Sequence, residues 1–171
     1  MNKAAVLKDI IESRRSIFPK NYTGAKVPDE IVEEILNSAN FAPNHKKTRP
    51  WKFIAFKETE KENFGKKLAD VYKNTTNPEV FLKKKHASIT TKVAVADTVV
   101  AVCVRFSGLV PEWEEIAATS MAVQNMYLTA TAHEIGCYWS TPSLKDYMGD
   151  FLRLEEHEKC FGFFYIGNIA V

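Results

Sequence analysis

The strongest constraint on the fold is the run TVVAVCVRF at residues 98–106, which is almost continuously apolar and rich in β-branched side chains. A strand with one solvent-exposed face alternates apolar and polar residues, whereas an apolar run without alternation predicts a strand that is buried on both faces. We therefore expect a strand at Thr98–Phe106 that is covered on both faces of its sheet. The length of 171 residues suits one domain, so residues 1–171 are expected to form a single domain.

Other segments show helical periodicity bounded by proline or glycine. These patterns predict helices over residues 4–13, 28–42, 59–72 and 112–134, a helix or loop over 78–91 and a weak helix over 143–154. Shorter segments predict strands at 51–57, 137–141 and 161–166. The longest helix, closed by Gly136, is apolar on more than one side, which indicates a central, buried helix or one that also packs on a partner chain. The element order predicts a layered α/β or α+β domain.

Composition excludes several classes of protein. Apolar residues make up 46% of the chain and the net charge is only +2, so disorder, a collagen-like chain and a disulfide scaffold are excluded, and no nucleic-acid partner is expected. Cys103, Cys137 and Cys160 lie in apolar stretches without C-x-x-C spacing, which predicts three buried, reduced thiols and a cytoplasmic location. With no signal segment and no apolar run long enough to span a bilayer, no membrane partner is expected.

Several site motifs are missing from the sequence. It contains no G-x-G-x-x-G after a strand, no P-loop and no G-x-S-x-G elbow. The four histidines show no metal-ligand spacing, so no metal site is expected. The run Lys83–Lys85 is most simply a solvated helix face, with a phosphate or partner contact as the alternative.

Three segments carry groups suited to ligand binding. Arg14, Arg15 and Ser16 follow the first helix and can bind a phosphate dianion, although the arginines can equally cap the last carbonyls of that helix. The loop from Phe41 to Trp51 (FAPNHKKTRPW) offers an imidazole, an amide and three cations, although it can equally be a plain surface loop.

The third segment, Gly136–Pro142 (GCYWSTP), joins the long helix to a short strand and a turn. Backbone donors at the end of such a strand can meet the edge of a planar ring. The alternative is an ordinary helix–strand connection.

In this order the segments resemble the FMN-dependent nitroreductase family. R-R-S is similar to the family's opening signature, and ILNSANFAPNHKKTRPWKFIAF is similar to its second signature, in the A-P-[DN]-H-K form of the short-chain NAD(P)H nitroreductase subgroup of bacteria. AVQNMYLTATAHEIGCYWSTP resembles the family's dimer helix and its exit, and FGFFYIGNIAV resembles its last strand. The chain departs from the pattern at Ile17 and Phe18, where a further Arg often stands, and at Arg49, which replaces the usual amide.

The resemblance implies a three-layer α+β fold with a central mixed sheet flanked by helices, and a homodimer with FMN at the interface. It implies that Arg14, Arg15 and Ser16 hold the phosphate and ribityl chain, and that Phe41 and His45 approach the flavin from the other subunit. Arg49 would lie near the ring, and Trp139, Ser140 and Thr141 would meet the isoalloxazine.

The implied activity is an oxidoreductase that uses FMN to pass reducing equivalents from NAD(P)H to a small electron-poor acceptor such as a nitroaromatic or a quinone. The resemblance assigns no catalytic side chain. Two alternatives stay open at this point: a non-catalytic flavin-binding or storage protein of the same fold, and a cofactor-free interaction protein in which R-R-S is only a helix cap.

Overall fold

The fold is organised around the apolar run, which forms the second strand of a four-stranded sheet. A computed structural model describes residues 2–170. The helices are α1 (Lys3–Ser13), α2 (Asp29–Ser38), α3 (Glu58–Thr75), α4 (Lys83–Val95), α5 (Glu112–Ala132) and the short α6 (Gly149–Leu152). The strands are β1 (Trp51–Phe56), β2 (Thr98–Arg105), β3 (Gly136–Ser140) and β4 (Glu158–Gly167).

The sheet has the order β1-β2-β4-β3, and each neighbouring pair is antiparallel. This confirms the α+β class and corrects one detail, because a mixed sheet was expected. β2 and β3 do run in the same direction, since each is antiparallel to β4. Because β4 lies between β2 and β3, the described residues contain no pair of neighbouring parallel strands.

The sheet is covered on both faces, as the apolar run predicts. Val100 and Val102 of β2 pack with α2 and α5 on one face. Val99, Ala101 and Cys103 pack on the other face with α3 and α4. The layers are therefore helix, sheet and helix. All three cysteines are buried and unpaired, as expected.

Element ends differ from the sequence predictions where tertiary contacts decide them. α5 ends at Ala132, before the predicted closing residue Gly136, and Glu134 has a left-handed backbone with φ 57°. Gly136 instead begins β3, where a Cβ would lie 2.9 Å from the Tyr22 ring. The ambiguous segment at 78–91 forms most of α4.

Two helices keep apolar side chains uncovered within the chain. α1 has no buried residue, and its Leu7 and Ile11 are 53% and 51% exposed. α5 buries one side against α2 and the sheet but leaves Trp113 (67%) and Met121 exposed on the other. Exposed apolar rows of this kind are typical of an interface. Across residues 2–170, no helix is long and apolar enough to cross a membrane.

Candidate functional site

The first and third predicted segments lie side by side. The Ile17 N–H donates to the Cys137 carbonyl at 2.9 Å, and the Phe18 ring lies 4.4 Å from that of Tyr138. The chain after α1 therefore runs along the outer edge of β3. Residues about 120 positions apart in the sequence are brought to one place.

Tyr127 of α5 joins the two segments. Its hydroxyl accepts the Trp139 backbone N–H at 2.7 Å and lies 3.4 Å from the Ser16 hydroxyl. The Arg14 guanidinium carbon lies 5.4 Å from the centre of its ring, within the range of a cation–π contact. Burial raises the pKa of Tyr127, so its hydroxyl stays protonated and can donate to Ser16 while it accepts from Trp139.

Tyr127 was not among the predicted site residues, because it lies within the apolar long helix. A signal was nevertheless present, because a tyrosine within such a helix must find a partner for its hydroxyl when it is buried. We define the Tyr127 cluster as Arg14, Ser16, Tyr127 and Trp139.

The structure separates the roles of the two arginines. Arg15 Nη1 donates to the carbonyls of Glu12 and Arg14 at 2.7 and 2.9 Å, so Arg15 caps the C-terminus of α1. Arg14 has no carboxylate partner among residues 2–170. The cap reduces the negative potential that a helix C-terminus presents to an anion. Arg14 is therefore the cation available to an anion beside Ser16.

The end of β3 presents further donors. Trp139 Nε1 is buried without an acceptor among the described residues, and the backbone N–H of Thr141 likewise has no acceptor there. Ser140 is half-buried at the last position of the strand, and Thr141 is exposed just beyond it. A buried donor without a partner, such as Trp139 Nε1, calls for an explanation, whereas the N–H of the exposed Thr141 can bond to water or to a ligand.

Gly162 of β4 makes the close packing beside β3 possible. Its φ is 135°, and a Cβ there would overlap the Ser140 carbonyl oxygen and lie 2.8 Å from Trp139 Nε1. The backbone of β4 consequently supports both Trp139 and Ser140 directly.

The second predicted segment lies at the other end of α5. His45 Nδ1 lies 2.6 Å from Glu114 Oε2 in the first turn of α5. The Asn44 side chain accepts the Arg49 N–H at 3.0 Å, and Arg49 has a left-handed backbone with φ 45°. Phe41, before this loop, is largely exposed.

One chain does not bring all three segments together. Glu114 and Tyr127 are 13 residues apart on α5, which at 1.5 Å per residue is about 20 Å along the helix axis. His45 lies at the Glu114 end, and Arg14 and Ser16 lie at the Tyr127 end. The roles predicted for Phe41, His45 and Arg49 therefore require a second chain.

Removing the Tyr127 hydroxyl tests the cluster. In Tyr127→Phe the Trp139 N–H loses its acceptor, so we expect the free energy of unfolding to fall by about 1–2 kcal/mol. Denaturant unfolding of the purified protein measures it. Tyr147→Phe is the matched control, since Tyr147 is exposed; equal losses in both variants would contradict the role given to Tyr127.

Adding a methyl group at Gly162 tests the support beneath β3. Overlap with Ser140 and the glycine-type backbone together predict a loss of about 2–4 kcal/mol for Gly162→Ala. Thermal unfolding measures this loss, and Gly149→Ala, where a Cβ meets nothing within 4 Å, is the control. A Gly162→Ala protein as stable as the control would show that β3 and β4 are spaced more loosely than described.

Comparison with known proteins agrees with this architecture. The model of the nitroreductase family matches residues 11–168. The chain is 30% identical over 163 residues to the protein named Putative NAD(P)H nitroreductase YfhC of Bacillus subtilis (strain 168), covering 95% of this chain and 79% of that protein.

Solved structures share the fold. A nitroreductase-like family protein from Bacillus cereus superposes with a TM-score of 0.80 at 25% identity, over 96% of this chain and 86% of that one. The FMN-dependent nitroreductase NfnB from Mycobacterium smegmatis, solved in complex with NADPH, superposes with a TM-score of 0.79 at 14% identity. The superposition covers 98% of this chain and 89% of that one, and at this identity it shows the fold alone.

The family match and the named relative place the chain in a class of oxidoreductases. The chain belongs to the nitroreductase family.

Proposed function

We propose that this oxidoreductase binds FMN and passes reducing equivalents from NAD(P)H to an electron-poor acceptor such as a nitroaromatic or a quinone. The observation that carries the proposal is the Tyr127 cluster, which places a free guanidinium and a hydroxyl beside the end of β3. The YfhC relative is named for NAD(P)H, and the NfnB structure combines FMN dependence with NADPH.

The chain's own groups fit FMN. A flavin mononucleotide carries a phosphate dianion at one end and hydrogen-bond acceptors on the edge of a planar ring at the other. Arg14 and Ser16 supply a cation and a hydroxyl suited to the phosphate. The backbone N–H of the exposed Thr141, at the end of β3, suits the ring edge.

The site is completed by a homodimer in this proposal. If two copies of α5 cross in opposite directions near residues 120–121, two-fold symmetry places the Glu114 end of one helix against the Tyr127 end of the other. The exposed Met121 lies at that crossing point, and Trp113 lies on the same uncovered side of the helix. His45 of the partner subunit would then reach the site from the opposite side, together with the partner's Phe41 and the partner's Arg49.

When bound, FMN supplies the hydride and electron-transfer chemistry, and the protein binds, orients and electrostatically tunes it. Arg14 holds the anionic end in place. Positive charge near the ring stabilises the negative charge that accompanies flavin reduction. We assign that task to Arg49 of the partner subunit, because Arg14 lies beside Ser16 as the cation proposed for the phosphate.

The visible absorption spectrum of the purified protein tests the redox proposal, recorded before and after anaerobic addition of NADH or NADPH. Flavin bands that bleach with either nucleotide are expected. Bands that persist with both would contradict reductase activity and favour flavin storage. A protein that shows no bands even after added FMN would contradict flavin binding.

The molar mass in solution tests the dimer. Light scattering after size exclusion should give twice the chain mass of 19.4 kDa. Met121→Asp should yield monomers that also lose FMN, since a charge at the crossing point disfavours association. Ser120→Asp places the same charge at the neighbouring position of the crossing point and should weaken association in the same way. A monomeric wild-type protein that retains FMN would contradict a site shared between chains.

A further inference from the structure

Positive charge is concentrated in one part of the helix layer formed by α3 and α4. Residues 66–92 contain seven lysines and two acidic residues, Asp70 and Glu79, whereas the rest of the chain has 16 basic and 19 acidic residues. The lysines are exposed, and none forms an ion pair within residues 2–170: Lys66, Lys67, Lys73, Lys83, Lys84, Lys85 and Lys92. A chain that is nearly neutral overall therefore has a strongly basic surface.

The first turn of α4 carries positive side chains, whereas the N-terminus of a helix normally favours negative ones. Lys83, Lys84 and Lys85 occupy its first turn, which contains no acidic residue and no side-chain cap. The positive end of the helix dipole lies there, so three cations at this end repel it. This arrangement becomes favourable when an extended anion lies against the turn.

Two exposed aliphatic side chains lie beside these lysines. Val80 and Leu82 are 63% and 60% exposed, immediately before the first turn of α4. The segment has a fixed support, because the Leu82 N–H donates to the Tyr72 hydroxyl at 3.2 Å and Phe81 stacks on the Tyr72 ring at 5.3 Å. The exposed side chains of Val80 and Leu82 therefore lie on a segment whose backbone is held in place by Tyr72.

We name this surface the lysine tip and define it as Lys73, Val80, Leu82, Lys83, Lys84 and Lys85. Lys85 lies 5.0 Å above the Tyr72 ring, which ties its position to the same support. Asp70 and Glu79 are the acidic residues of this region, and they leave its net charge positive.

We propose that the lysine tip docks the protein on an anionic lipid surface. Lysines near such a surface are attracted to its headgroups, and exposed aliphatic side chains enter the interface below them. Nucleic acid would favour arginine forks and aromatic stacking platforms, whereas the tip presents only lysines and aliphatic groups. The sequence predicted no membrane partner because it contains no spanning or signal segment; a docking surface needs neither.

Vesicle co-sedimentation tests the proposal with the full-length, FMN-loaded protein. The probes are vesicles of phosphatidylcholine alone and of phosphatidylcholine with about one third phosphatidylglycerol, at an ionic strength of ~0.1 M. We expect at least about 100-fold stronger partition onto the anionic vesicles. Raising the salt to ~1 M should abolish most of that difference, because it shortens the screening length to ~3 Å.

Variants separate the two components of the surface. Lys83→Glu/Lys84→Glu/Lys85→Glu should lower partition at least about 100-fold, at roughly one factor of five per lysine removed. Val80→Ser/Leu82→Ser should lower it about tenfold through lost apolar burial. The matched control, Lys3→Glu/Lys26→Glu/Arg153→Glu, makes the same change in net charge at exposed positions elsewhere.

Each variant is checked for FMN content and thermal unfolding, so that a folding defect is not mistaken for lost docking. The proposal is overturned if wild-type protein ignores anionic vesicles, or if the lysine-tip and control variants bind them equally. Binding to duplex DNA without binding to vesicles would overturn it in favour of a nucleic-acid surface. Because the measurement is of partition alone, its outcome is independent of the proposed reductase activity.

Discussion

Replacing Arg14 with alanine will weaken FMN binding by about 10- to 100-fold. Charge-assisted hydrogen bonds contribute about 1.5–3 kcal/mol, and each 1.4 kcal/mol corresponds to a factor of ten in the dissociation constant. The Arg14 guanidinium has no carboxylate partner in the described chain, and its central carbon lies 5.4 Å from the centre of the Tyr127 ring. Equilibrium titration of the apoprotein with FMN, followed by quenching of flavin fluorescence, measures the change.

Two further variants distinguish a phosphate contact from a general loss of charge. Arg15→Ala should change FMN affinity less than about threefold, because the Arg15 side chain is already bonded to the carbonyls of Glu12 and Arg14. Arg14→Lys should fall between wild type and alanine, since lysine keeps the charge but loses the planar fork. If Arg14→Ala leaves the FMN affinity unchanged, Arg14 does not bind the phosphate. If Arg14→Ala and Arg15→Ala lose FMN affinity equally, both arginines share that role.

Replacing Glu158 with glutamine will lower the free energy of unfolding by about 2–3 kcal/mol at neutral pH. The Glu158 side chain is fully buried, and its oxygens accept from Lys52 Nζ at 2.5 Å and Arg105 Nε at 2.9 Å. Breaking a buried pair costs about 3–5 kcal/mol when the partner is left without solvent. Lys52 and Arg105 keep part of their surface in water, so the expected loss lies below that range.

The same residue predicts a dependence of stability on pH. Burial by itself would raise the pKa of Glu158, but hydrogen bonds from Lys52, the Glu155 N–H and Arg105 outweigh it and lower the pKa from 4.5 to about 2. The unfolded chain therefore binds the proton first as the pH falls. The contribution of Glu158 is fully present above pH 4.5 and is lost between pH 4.5 and about 2.

Urea unfolding at a series of pH values from neutral to acid measures both the loss of stability in Glu158→Gln and its dependence on pH. The difference between wild type and Glu158→Gln should shrink as the pH falls through that window. Asp29, whose pKa is lowered by Lys57 and Lys26, is present in both proteins and cancels in the difference. Glu155→Gln is the control, because the Glu155 side chain is largely exposed; a loss there as large as in Glu158→Gln would contradict the buried pair.

Local sequence patterns were sufficient for most of the elements. The unbroken apolar run of β2 predicted a strand covered on both faces, and the structure confirms it with Val100 on one face and Val99 on the other. Helices α1, α2, α3 and α5 lie where periodicity placed them, and their ends move by a few residues. The order of the motifs also predicted the family, which the match over residues 11–168 confirms.

The assembly of the site depended on contacts between distant residues. R-R-S and the β3 segment are about 120 positions apart, and only packing shows that they are adjacent. The sequence left the two arginines equivalent, whereas the structure assigns Arg15 to the helix cap and leaves Arg14 free. The roles of Phe41, His45 and Arg49 remain predictions, since they depend on a second chain.

The sequence by itself therefore determined most of the elements and the two-faced core, because hydrophobic periodicity and turn chemistry act over a few residues. The resemblance of its ordered motifs determined the family. The tertiary structure decided that β4 lies between β2 and β3, that Glu158 is buried between two cations, and that the Tyr127 hydroxyl joins α5 to β3. These are pairings between segments far apart in the chain. Strand register and side-chain packing select them only when the whole core forms.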